Sequence, residues 1–191
     1  DDVEGALWSH DMIDRHRVAE TPRDIVRTVV GIDPAVTATE TSDETGIVVA
    51  SMAANGHVYV QADVSGRMSP LDWAHKAVKA YNDFRADRIV AEENNGGKLV
   101  EANLRTVVRD VPYTGVRASQ GKRTRAEPIA SLYEQGKVHH VGTLPKLEDQ
   151  QCSWEPLTGD KSPDRLDALV WAVTDLKFTP TQRRGLSLLN T

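Results

Sequence analysis

Short apolar runs divided by turn-forming clusters dominate the middle of the chain. In RTVVGIDPA, Val29, Val30 and Ile32 predict a buried strand that stops at Pro34. Residues 35–45, VTATETSDETG, are small and polar and predict a loop. GIVVASMA and HVYVQADV are β-rich and are joined through Ala54-Asn55-Gly56. Asn-Gly between two such runs is a strong hairpin signal, because both residues tolerate the backbone angles a tight turn needs. From Ser69-Pro70 the period lengthens. Trp73, Ala77, Val78, Tyr81 and Phe84 recur at helical spacing, with proline in the first turn. DRIVAEENNGG predicts a strand through Ile89 and Val90, ended by Asn94-Asn95-Gly96-Gly97. Leu99, Val100, Leu104, Val107 and Val108 predict a second helix over 98–109. VPYTGVRAS reads as a strand, TRAEPIASLYEQGKV as a helix closed by Gly136, and KVHHVG as a short strand. Residues 145–153 predict a short helix and PLTGDK a loop. SPDRLDALVW then opens a last helix whose apolar face is Leu166, Leu169, Val170 and Val173.

The ends are less regular. Residues 1–26 mix charges with Leu7, Trp8, Met12 and Ile13, which predicts a short helix and then a linker through Thr21-Pro22. The terminal TPTQRRGLSLLNT reads as a tail. The organisation is therefore a leading segment over 1–26, one domain over 27–178 and a tail over 179–191. A strand, a hairpin of two more, and then alternating helix and strand predict an α/β fold. Its mixed sheet has three antiparallel strands followed by parallel ones, with helices on both faces. No internal repeat or low-complexity segment is present.

Composition narrows the function. At 191 residues, with 39% hydrophobic and 27% charged, the chain can bury a substantial core. No run of 18 apolar residues exists, so no transmembrane helix and no membrane partner are expected, and no signal-peptide pattern opens the sequence. The start at Asp1 rather than Met reads as a fragment or a processed product. The one cysteine, Cys152, excludes an internal disulfide and reads as a small buried residue. The net charge of −5 argues against simple coating of nucleic acid. It leaves open an enzyme that gathers carboxylates around cations and meets a polyanion through them.

Three acids stand where side chains leave a core and converge on a cleft. Asp33 ends the first strand, Glu92 ends DRIVAE, and Asp167 lies in the first turns of the last helix. Each has an ordinary reading as well. Asp33 before Pro34 can start a turn, and Glu92 and Glu93 can be surface acids beside a loop. In SPDRLDALVW, Ser162 suits the N-cap, Pro163 the first helical position, and Asp164 the favourable end of the helix dipole. Asp167 is not explained that way. It borders the apolar face near Val170 and Trp171, where an acid is costly unless partnered. Hard cations such as Mg²⁺ or Mn²⁺ take oxygen ligands. Two of them about 3.5–4 Å apart can activate water and stabilise the leaving oxygen of a phosphodiester.

Other signals are weaker. Arg117, Lys122, Arg123 and Arg125 in RASQGKRTR, without an intervening acid, form a basic stretch that reads as a DNA-phosphate contact or as a solvated loop. His139 and His140 are adjacent on a strand and point to opposite faces, so at most one could serve as ligand or base. GKRT lacks the upstream glycine of a phosphate-binding loop, and no GxSxG, HExxH or paired CxxC occurs.

Together VVGIDPA, HVYVQADVSGRMSPLDWA, RIVAEENNGG, RASQGKRTRAEPIASLYEQGKVHHVG, LEDQQCSW and SPDRLDALVWAV resemble the C-terminal nuclease domain of phage large terminase subunits, over residues 28–176. EGALWSHDMIDRHRV resembles the connector that leads out of the terminase ATPase domain. The resemblance implies an RNase H-like fold and metal-dependent endonucleolytic cleavage of double-stranded viral DNA during packaging in the host cytoplasm, with two divalent cations, Mg²⁺ or Mn²⁺. It places the family's three acids on Asp33, on Glu92 (two residues before Asn94) and on Asp167, with Asp164 as an auxiliary candidate. Glu93 stands where the family often has an apolar residue, so the choice between the two glutamates stays open. The implied partners are the ATPase domain, which this chain lacks, the small terminase subunit and the portal. Alternative readings are a junction resolvase or integrase of the same fold class, one half of a sugar-kinase or actin-like ATPase, and a docking module without activity. Sequence specificity is expected to be low, because no element resembles a base-reading helix.

Overall fold

The computed structural model describes residues 2–34, 44–93, 98–157 and 163–179. The loop expected over 35–45 therefore lies mostly outside the described residues, as do the Asn94–Gly97 turn, Ser162 and the tail beyond Thr179. The order of elements is α1 (His10–Asp14), β1 (Ile25–Asp33), β2 (Gly46–Ala53), β3 (Val58–Asp63), α2 (Pro70–Asp83), β4 (Arg88–Glu92), α3 (Leu99–Val107), β5 (Tyr113–Val116), α4 (Lys122–Glu134), β6 (Val138–His140), α5 (Pro145–Ser153) and α6 (Asp164–Phe178).

The sheet runs β5-β4-β1-β2-β3-β6. β1, β2 and β3 are antiparallel neighbours, whereas β4 is parallel to β1, β5 to β4, and β6 to β3. The antiparallel β2–β3 pair follows from the Asn-Gly turn. Gly56 adopts φ +83, and the Asn55 side chain accepts the His57 N–H at 2.9 Å. The parallel half follows from the intervening helices, which carry the chain back to the same edge before each new strand.

Strand alternation divides the core in two. Val30, Ile32, Ile47, Val49, Ile89 and Ala91 pack with α2 and α3. Val29, Val48, Ala50, Val58 and Val60 pack on the other face with α1, α4, α5 and α6. Helices thus cover both faces, as the sequence pattern predicts. Two features depart from it. Trp8 and Ile13, each 2% exposed, lie in the same core as α4 and α6, so the leading segment is packed onto the domain, and β1 already starts at Ile25. Burying two large apolar side chains contributes several kcal/mol (about 1.5–3 each), which explains why the segment is held.

The second departure is α6. Its sequence suggests one apolar face, yet it is buried on nearly every side from Arg165 to Leu176. It lies on β1 and β2 and is covered by α4 and α5. Its charged residues are tolerated because each has a partner. Asp175 takes Arg27 at 2.5 Å and Arg88 at 2.7 Å.

Candidate active site

Parallel pairing brings the first two acids side by side. Ile32 of β1 faces Ala91 of β4, so Asp33 and Glu92 are the next residues along two adjacent strands. Alternation turns both toward α6. Gly31, two residues before Asp33, faces α6, and so does Arg88, four before Glu92, through Asp175. Glu93 points the other way. It accepts a hydrogen bond from the Tyr113 hydroxyl at 3.3 Å and lies over Gly115. The two glutamates left open by the sequence thus occupy opposite faces of the sheet.

Two glycines bring α6 to the acids. A Cβ on Gly31 would stand 2.3 Å from the Ala168 carbonyl oxygen, and one on Gly46 would stand 2.0 Å from that of Asp164. Only hydrogen at these positions lets the helix lie this close to β1 and β2. The start of α6 is then fixed from the side. Arg165, 3% exposed, bonds Asp63 at 2.6 Å and Glu44 at 2.9 Å. Gln150 of α5 accepts the N–H groups of Arg165 (3.1 Å) and Leu166 (3.3 Å), two donors that a helix N-terminus otherwise leaves unpaired. Pro163 is the N-cap residue, with ψ 147, and Asp164 is the first helical residue. That shifts the expected cap by one place, since proline's locked φ suits either position and its carbonyl accepts the Asp167 N–H at 3.0 Å. Asp164 and Asp167 are three residues apart, so both belong to the same side of the first turn.

The acids feel one another. Burial first, then the charges of Asp167 and Asp164, pushes the Asp33 carboxyl up to about 8; Lys122 pulls it back and Glu92 adds to the rise. Asp167 is itself 7% exposed and takes the Lys122 ammonium on Oδ2 at 2.6 Å. Glu92 Oε2 takes the Arg125 guanidinium at 3.2 Å, and Arg125 lies over the Trp171 ring, 4.6 Å from its centroid.

The basic stretch is therefore not one loop. Helix α4 begins at Lys122, two residues before the expected start, and Lys122 and Arg125 occupy one face of its first turn, toward the acids. Arg123 projects outward and pairs with Glu127 at 2.6 Å, and Arg117 is exposed beyond β5. Of the four basic candidates, Lys122 and Arg125 contact acids of the cluster, whereas Arg123 and Arg117 are exposed. The histidines lie apart from this cluster. His140 is buried between Tyr133 (2.8 Å) and Glu148 (2.9 Å), whereas His139 stacks between His57 and Tyr59. Sequence reasoning missed Arg165, Gln150 and Trp171 as supports, and missed the two contact glycines. Gly31, inside an otherwise apolar strand, was the one available signal.

The donor set suits hard divalent cations: carboxylate oxygens alone, around an acid that burial and like charge already strain. Ligand atoms of Asp33, Glu92 and Asp167 are not all within 4.8 Å of one another among the described residues. A bound cation would draw the three carboxylates together.

Known proteins carry the same arrangement of elements. Residues 30–176 match the family model of the terminase RNaseH-like domain. The chain is similar in structure to the large terminase of a thermophilic bacteriophage, with TM-score 0.66 and 15% identity, over 91% of this chain and 46% of that one. It is similar to the large terminase nuclease of a second thermophilic phage, G20c, with TM-score 0.57 and 15% identity, over 89% of this chain and 98% of that one. The manganese-soaked, inhibitor-bound human cytomegalovirus terminase nuclease domain gives TM-score 0.64 and 14% identity, over 89% and 95%. A further structure of the G20c nuclease contains bound cobalt. The chain thus spans about half the length of the first of these proteins and nearly all of the two nuclease domains. No curated protein matches it.

Proposed function

The chain belongs to the family of terminase RNaseH-like domains, and we propose that it is the endonuclease domain of a phage DNA-packaging terminase, cleaving double-stranded DNA with little sequence specificity. The observation that carries this reading is the placement of Asp33 and Glu92 at the ends of two parallel neighbouring strands, on the face covered by α6, whose first turn bears Asp164 and Asp167. Asp33, Glu92 and Asp167 would hold two Mg²⁺ or Mn²⁺ ions, with Asp164 within reach as an auxiliary ligand. When bound, such ions supply an activated water and neutralise charge on the phosphodiester.

The protein's own residues do the rest. Arg125, stacked on Trp171, holds the Glu92 carboxylate in place. Lys122 neutralises part of the acidic cluster and stands ready to meet a phosphate oxygen. Exposed Arg117 and Arg123 are the groups available to the DNA backbone, a contact that carries no base information. The ATPase domain, the small terminase subunit and the portal are the proposed partners. The family match favours this reading over a junction resolvase or integrase, which would share the fold only.

Nicking and linearisation of a plasmid with Mn²⁺, Mg²⁺, Ca²⁺ or EDTA tests the proposal, with Asp33→Ala, Glu92→Ala and Asp167→Ala assayed in parallel. Cleavage with Mn²⁺ or Mg²⁺ that each substitution abolishes is the expected result. Absence of cleavage with every metal, both alone and after fusion to a terminase ATPase domain, would overturn it in favour of a docking module.

A further inference from the structure

A second set of donor atoms lies where the leading segment crosses α5. The Val3 N–H donates to the Cys152 carbonyl at 3.1 Å, laying residues 2–6 along the end of that helix. Asp2 Oδ1 accepts the His10 backbone N–H at 2.9 Å and stands 2.6 Å from His10 Nδ1. One ligand atom from each of Asp2, His10 and Cys152 lies within 4.8 Å of the other two. Asp149, three residues before Cys152 and so on the same face of α5, has Oδ1 3.6 Å from His10 Nε2.

We propose that Asp2, His10 and Cys152 form a second metal site, for a zinc-class divalent cation, which pins the leading segment to α5. The donors are one sulfur, one nitrogen and one oxygen. That mixture suits zinc, which takes cysteine, histidine and carboxylate in tetrahedral sets, and does not suit magnesium. It also separates this site from the all-carboxylate cluster around Asp33. Three features prepare it. The Asp2 oxygen is already fixed by a backbone N–H. Cys152 is fully buried on a helix, so its sulfur has one direction to face. His10 can give Nδ1 to the cation, with the Asp149 carboxylate 3.6 Å from Nε2 on the far side of the ring.

The protons balance simply. Burial, then the Asp2 carboxylate, with Glu148 and Asp149 adding to the rise, pushes the thiol up to about 12, so it is protonated in the metal-free protein. Binding transfers that proton to solvent and forms the sulfur–metal bond, with no change in oxidation state. Affinity therefore rises with pH. The alternative reading, an Asp2–His10 ion pair beside an inert buried thiol, predicts no metal binding.

Cobalt(II) titration of the full chain in a phosphine reductant tests the proposal. The sequence contains a single cysteine, so any thiolate-to-cobalt charge-transfer band belongs to Cys152. The band should saturate at about one equivalent, give way to Zn²⁺, and be absent in Cys152→Ala. It should persist in Asp33→Asn, which lies in the other cluster. Loss of a group that merely orients a metal-bound imidazole costs about 10–100-fold in affinity, so His10→Ala should weaken cobalt binding by at least that. His10 is partly exposed, so this variant decides the matter if Cys152→Ala folds poorly. No charge-transfer band in the wild-type chain, or a band of undiminished affinity in His10→Ala, would overturn the site.

Discussion

Lys122, in the first turn of α4, reaches across to Asp167, in the first turn of α6, with 2.6 Å between its ammonium and Oδ2. Two helix starts are thereby tied together directly over the ends of β1 and β4. The ammonium also lowers the cost of leaving Asp33 charged. Lys122→Met should therefore destabilise the protein in EDTA at neutral pH by about 1 kcal/mol, a modest figure because the lysine is partly exposed and solvent-screened. Added Mn²⁺ should recover the loss by supplying the missing positive charge. Thermal melts with and without metal check this; an unchanged melt in EDTA would mean that the pair contributes nothing.

Glu92 and Glu93 are neighbours in sequence but lie on opposite sides of the sheet. Glu92→Gln should lower plasmid cleavage by about 100-fold or more, the scale on which a group acting on developing charge is felt. Glu93→Gln should lose only its hydrogen bond with Tyr113 and cleave within a few-fold of wild type. Equal losses in the two variants would contradict the assignment by face.

Asp33 gives a pH signature. Its folded-state value of about 8 exceeds the ordinary 3.8, so the fold prefers the protonated acid. Between about pH 4 and pH 8 the folded state holds a proton that the unfolded chain has released, and stability falls as pH rises. Asp33→Asn should remove that fall. In EDTA its melting temperature should exceed wild type at about pH 8.5 and approach it at about pH 4.5, with a difference of order 1 kcal/mol or more at the upper end. A gain that does not depend on pH would show that charge is not the cause.

Gly31 and Gly46 set the height of α6 above the sheet. Gly46→Val should destabilise by about 1–3 kcal/mol, the usual cost of forcing atoms into a packed interface. It should also reduce cleavage, because the displaced backbone is that of Asp164 itself. Gly66→Ala is the control: a Cβ there meets only the flexible end of Met68, at 4.0 Å, so melting and cleavage should stay close to wild type.

How much of this was legible beforehand can be judged residue by residue. The β1 run, the Asn-Gly hairpin, Pro70 opening α2 and the 145–153 helix were readable because each signal lies in consecutive residues and repeats with the period of its element. Asp33, Glu92 and Asp167 were legible as candidates for the same reason, since strand ends and helix starts are local features. The face that Glu92 shares with Asp33 was not. It depends on β4 pairing with β1 in parallel and on α6 covering that side. The inward turn of Lys122 and Arg125 was hidden too, because Lys122 and Asp167 are 45 residues apart and nothing in RASQGKRTR encodes where α6 will lie. The sequence by itself determined the elements, their order and the acids at their ends, because backbone periodicity and capping act over a few residues. Only the tertiary structure decided which acids face the same helix and which cations answer them. Those contacts depend on the close approach that Gly31 and Gly46 permit between distant parts of the chain.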